Sequence, residues 1–206
     1  MPTLWLSRAL EESRARGFLG PGPIENHIRH AEAFADVWEC RNPSPPRAFV
    51  DLGSGGGLPG LVLLERWGCR GVLLDAMERR TEFLTETLLL PGSPGTGEVW
   101  RGRAETIARE DRADGVFDLV TSRSFAAPGV TAECAARFLV VGGLLIVSEP
   151  PDKRDRWPEE GLAVVGLSPI GHQVAGGFGF QVIQKIQPTP DRYPRAVGRP
   201  GKSPLF

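Results

Sequence analysis

The chain of 206 residues suits one domain with an appendage, and its 24 basic against 25 acidic side chains leave a formal net charge of −1. That balance excludes a globally basic nucleic-acid binder and confines any such contact to a local patch. Cys40, Cys69 and Cys134 form no CxxC pair, no run of about 18 apolar residues occurs, and acids stand within the first dozen residues; a disulfide framework, a cysteine zinc site, a membrane span and a secretory signal are therefore not expected, and a cytoplasmic protein is.

Residues 4–16 read as a helix. In PIENHIRHAEAFADVWE, Ile24, Ile28, Ala31, Phe34, Ala35 and Trp38 recur at helical spacing behind Pro23, a residue suited to a first turn. His27 and His30 on this second helix read as polar helix-face residues, because no third ligand completes a metal site. With the loop RNPSPPR these helices make an N-terminal helical cap, residues 1–46. From residue 47 strands and helices alternate: strand AFV, a glycine loop, helix 61–67, strand GVLLDA, helix 79–90, strand EVWRG, a short helix, strand FDLVTS, a helix over 132–139 and strand LLIVSE. Such alternation predicts an α/β fold with a mostly parallel sheet covered on both faces. SPIGHQVAG and FGFQVIQKI flank Gly176 and Gly177 as a hairpin adding antiparallel strands at one edge, which closes the main domain at residue 188. The tail, 189–206, is rich in proline and basic residues without a period and reads as an extended basic arm.

The loop VDLGSGGGLPG, residues 50–60, joins the first strand to the first helix of the main domain, where open α/β sheets bind ligands. Gly55, Gly57 and Gly60 match the G-x-G-x-x-G spacing of dinucleotide sites, a weak signal among so many glycines. Asp51 ahead of them favours S-adenosylmethionine (SAM), whose ammonium a carboxylate can hold directly or through water, whereas an anion beside a diphosphate is unfavourable. Asp75, ending the second strand, suits the two ribose hydroxyls of either cofactor, although an acid there can also be a plain helix cap.

These residues, together with LLDAMERRTEFL, GRAE at 102–105, FDLVTSRSFA at 117–126 and RYPRAVGRPGKSPL, resemble the RsmG (GidB) family of bacterial 16S rRNA guanine-N7 methyltransferases. The resemblance implies a Rossmann-like class I SAM-dependent methyltransferase with a seven-stranded sheet, acting on 16S rRNA or the small ribosomal subunit. It assigns cofactor binding to Asp51, Gly53, Ser54, Gly55, Gly57, Leu58, Asp75, Ala76, Ala104 and Glu105. Arg123 matches the family arginine near the reaction centre, and Arg123, Arg195, Arg199 and Lys202 are the expected RNA contacts. The lysine-glycine that usually closes the fifth strand of the family is Ser148-Glu149 here. Guanine N7 carries a lone pair, so its methylation needs an in-line approach and a tuned electrostatic environment and no general base. No metal is expected, and the protein is read as a monomer. Two alternatives stand beside this one: a SAM-dependent enzyme of the same ancestry acting on a small molecule or another RNA, and a noncatalytic binding protein that retains the fold.

Overall fold

Near-continuous apolar runs mark strands that are covered on both sides, and a computed structural model of the chain, describing residues 2–152 and 155–206, shows what covers them. Strands β1 (Ala48–Leu52), β2 (Arg70–Asp75), β3 (Gly97–Arg101), β4 (Phe117–Ser122), β5 (Leu139–Glu149), β6 (Leu167–Ala175) and β7 (Phe178–Lys185) form one sheet in the order β3-β2-β1-β4-β5-β7-β6. β1 to β5 pair in parallel, and β7 runs antiparallel to both β5 and β6. The order reverses at β1, which places the loops after β1, β2 and β4 side by side.

Alternation along each strand sends side chains to two cores. Phe49, Leu73 and Ile146 face α1 (Leu4–Ala15), α2 (Ile24–Glu39), α3 (Gly60–Trp67) and α4 (Glu78–Leu88), where Trp5, Phe34, Leu61 and Phe83 meet them. Val50, Leu52, Val72 and Leu74 face α5 (Ala104–Ile107), α6 (Pro128–Ala136) and α7 (Glu159–Ala163), together with Phe138 and Trp157. The two N-terminal helices thus share a core with the sheet. Trp5 and Trp38 help to seal it, and the Trp5 indole donates to Thr87 O at 2.9 Å.

Three elements differ from the sequence reading. The helix after β4 spans Pro128–Ala136 and not 132–139, because Pro128 occupies its first turn and Phe138 already leads into β5. β5 begins at Leu139, ahead of a glycine pair whose Gly142 has φ 93°; the pairing register with β4 shifts between Phe117 and Leu119. The tail is also not a free extended arm. Arg109 donates to Pro194 O at 2.7 and 3.1 Å, Arg137 donates to Tyr193 O at 3.2 Å, and Phe206 packs edge-on to Trp157. Backbone carbonyls fixed by guanidinium donors hold this aperiodic segment where no helix or strand would, and it ends in the short helix α8 (Arg199–Lys202).

A candidate cofactor and acceptor site

The β1–α3 loop is held by its own backbone and by two acids. The amides of Gly53 and Ser54 both donate to Leu74 O at 2.9 Å, tying the start of the loop to the end of β2. Gly53 has φ 74°, and a Cβ there would stand 2.7 Å from the Phe125 ring, so the position needs glycine on both counts. Asp51 is fully buried: one carboxylate oxygen accepts the Gly60 amide at 3.0 Å and the other the Thr121 hydroxyl at 3.0 Å. Burial pushes its pKa up to about 6 against the pull of those hydrogen bonds and of the Arg123 charge. Asp51 therefore acts here as a brace that fixes the N-terminus of α3. A Cβ at Gly60 would stand 2.2 Å from Leu73 and 2.8 Å from this carboxylate. Gly60→Ala is accordingly expected to destabilise the protein by about 1–3 kcal/mol in urea denaturation.

Asp75 ends β2 with both oxygens in use, one accepting the Gly55 amide at 2.9 Å and the other the Met77 amide at 2.8 Å, with Arg80 at 3.5 Å. A carboxylate has about four acceptor positions, so the two oxygens can each take one further donor. Beyond it lies a cavity of about 550 Å³, within the range of small-molecule sites. Gly53, Asp75, Ala76, Ala104 and Glu105 border it, as do Phe125 and the tail residues Gly198, Gly201 and Pro204. Of the other expected cofactor residues, Ser54 donates to Asp51 O at 2.9 Å, Gly55 bonds Asp75, and Gly57 and Leu58 lie buried in the turn into α3; these four and Asp51 do not border the cavity. The tail's part in that wall had no sequence signal. Glu105, buried, accepts the Gly198 amide at 3.1 Å and so joins α5 to the tail.

Arg123 leaves the end of β4 one residue before Ser124, which takes a left-handed φ of 56° and borders the cavity. That conformation costs roughly 1 kcal/mol or more in a residue other than glycine, and it sends successive side chains in different directions. Arg123 turns to α2, its Nη2 standing 3.0 Å from His27 Nδ1, while Phe125 crosses Gly53. Burial lowers the Arg123 pKa, and Asp51 opposes the shift. His30, expected on a polar face, is instead stacked on Phe178 at 4.4 Å and 11°, with Nε2 2.8 Å from Ser148 Oγ. Its pKa is lowered to about 4 by burial, with the Arg123 charge adding to the shift, so the ring is neutral. Glu149 is occupied by Arg156 at 2.6 Å and the Trp157 indole at 3.1 Å. Of the expected RNA contacts in the tail, Arg195 is paired with buried Glu133 at 2.6 Å, and Arg199 and Lys202 are exposed on α8. Among the described residues no group of three or more His, Cys, Asp or Glu side chains is placed to hold a metal, and no helix is long and apolar enough to cross a membrane.

The family model for rRNA small subunit methyltransferase G (GidB) matches residues 24–160. The ribosomal RNA small subunit methyltransferase G of Moorella thermoacetica is 34% identical over 171 residues, covering 78% of this chain and 71% of its own length. That of Symbiobacterium thermophilum is 32% identical over 201 residues, covering 89% and 80%. The chain belongs to the methyltransferase G family. Solved structures share the fold. The O-methyltransferase TomG of Streptomyces achromogenes, solved in complex with SAM, superposes with a TM-score of 0.62 at 18% identity, covering 91% of this chain and 92% of its own. Cofactor-bound Rv0187 from MTB gives 0.62 at 19% identity, with coverages of 89% and 90%.

Proposed function

We propose that this member of the methyltransferase G family transfers a methyl group from SAM to guanine N7 of small-subunit 16S rRNA, in the cytoplasm and as a monomer. The observation that carries the reading is the juxtaposition of the Asp75 cavity with half-buried Arg123, one residue from the cavity wall, in a chain of this family. The cavity fits a nucleoside cofactor: its volume and the spare acceptor capacity of Asp75 on its wall are what an adenosyl group requires. SAM, when bound, supplies an electrophilic methyl on a positively charged sulfur.

The residues of the chain then divide the work. Asp75 accepts the ribose hydroxyls, Ala104 and Glu105 flank the adenine, and the Gly53–Gly57 turn carries the methionyl part, with Asp51 bracing the loop from behind. Arg123 orients the guanine and balances charge at the acceptor. Neutral His30 and Ser148 border that side without offering a base, which N7 does not need. Arg199 and Lys202 on α8 meet phosphates at the rim. Arg195, held by Glu133, serves by fixing that helix. Asp75→Ala is expected to lose two charge-assisted hydrogen bonds and to weaken SAM by about 10- to 100-fold in calorimetry. The activity itself is tested by incubating the purified protein with SAM and small ribosomal subunits lacking 7-methylguanine, followed by nucleoside mass spectrometry. One 7-methylguanine per subunit is expected; methylation confined to a small molecule, or none, would overturn the reading.

A further inference from the structure

The cluster at the end of β4 fixes the protonation of one histidine, His27. A guanidinium can only donate, so the 3.0 Å contact between Arg123 Nη2 and His27 Nδ1 requires an unprotonated Nδ1. A backbone carbonyl can only accept, so His27 Nε2, 3.1 Å from Gly20 O, carries the proton. The neutral Nε2–H tautomer satisfies both contacts at once. Protonating Nδ1 would set N–H against N–H and a cation against a cation. His27 is itself buried between α2 and the loop that precedes it, so the ring has little freedom to turn away.

We infer that His27 is a positioning residue: its neutral Nδ1 holds the Arg123 guanidinium at the acceptor side. The inference rests on the proposed methylation of small-subunit rRNA, in which Arg123 meets the acceptor base. His30 and Asp51 are titratable groups coupled to this pair. His30 lies on the same helix and stays neutral above its lowered pKa of about 4. Asp51, from β1, acts on Arg123 through its charge and has its own pKa raised to about 6. Ser148 on β5 and Phe178 on β7 meet His30 and carry no charge.

The test compares wild type, His27→Ala and His27→Asn on small ribosomal subunits at saturating SAM and pH 8, with KM for the subunit and SAM affinity measured in parallel. An asparagine oxygen can stand near the Nδ1 position and accept in its place. His27→Ala is expected to lower kcat about 10-fold with SAM affinity within twofold. His27→Asn is expected to retain kcat within threefold. An alanine variant as active as wild type overturns the inference, and so does an asparagine variant as impaired as the alanine. Where wild type methylates no rRNA, the functional reading fails by itself. The arrangement is then decided by long-range 1H–15N correlation spectra of the wild-type histidines at pH 7.5: an unprotonated His27 Nδ1 upholds the latch, and a protonated one overturns it.

Discussion

Removing the Arg195 side chain is expected to lower the stability of the protein by about 3–5 kcal/mol, the cost of leaving a buried charge without its partner. Glu133 is wholly buried within α6, and its two oxygens collect four contacts from Arg195: the backbone amide at 2.7 Å, Nε at 2.9 and 3.1 Å, and Nη2 at 2.6 Å. Arg195 also donates to Ser203 O at 2.7 Å, so one side chain ties α6 to both ends of the final turn. Arg195→Ala strands a carboxylate that water cannot reach. Glu133→Ala is expected to cost less, because the Arg195 side chain is 26% exposed and can turn outward. A double variant, Arg195→Ala with Glu133→Leu, should recover part of the loss, since it removes the stranded charge as well. SAM affinity should fall with Arg195→Ala too, because Gly198, Gly201 and Pro204 border the cavity. Urea denaturation and calorimetry read the two effects. Unchanged stability and SAM affinity with weakened RNA binding would instead make Arg195 an RNA-facing residue.

Arg123→Ala is expected to lower kcat on small ribosomal subunits by about 100-fold, as when one charged group aimed at a reacting centre is removed. The guanidinium is half-buried between Asp51 and His27, where charge acts more strongly than in water. SAM affinity should hold, because Arg123 does not border the cavity that Asp75 closes. A loss in KM for the subunit with kcat intact would show Arg123 to be a binding contact alone.

The fold was legible because the sheet writes itself locally. Continuous apolar runs such as Val72-Leu73-Leu74 and the glycine-rich turn after Leu52 each carry their own signal. The helix after β4 was displaced by four residues because its stretch of small residues has no strong stripe, leaving Pro128 as the sole marker of its start. Within the site, Asp75 stands out by its place at a strand end. The second role of Asp51 does not, because a brace for Gly60 and an anchor for a ligand call for the same carboxylate. His27 does not lie on the polar helix face where the sequence reading set it: it shares the stripe His27, Ala31, Phe34, Trp38, all buried, at spacings of four, three and four. Its partner Arg123 lies 96 residues away, and the Glu133–Arg195 pair spans 62. Charges that meet across such separations leave no trace in local spacing, so the tail was read as loose where it is tied down.

The cavity draws one wall from Gly53 and another from Gly198 to Pro204, so it is bounded by segments from opposite ends of the domain. Synthesis makes Gly53 and Asp75 well before Gly198 and Pro204, so the cavity closes only when the later segment has docked on the earlier one. A ligand that binds only the closed cavity would stabilise that docking by mass action, so occupancy and the seating of the tail would report on one another.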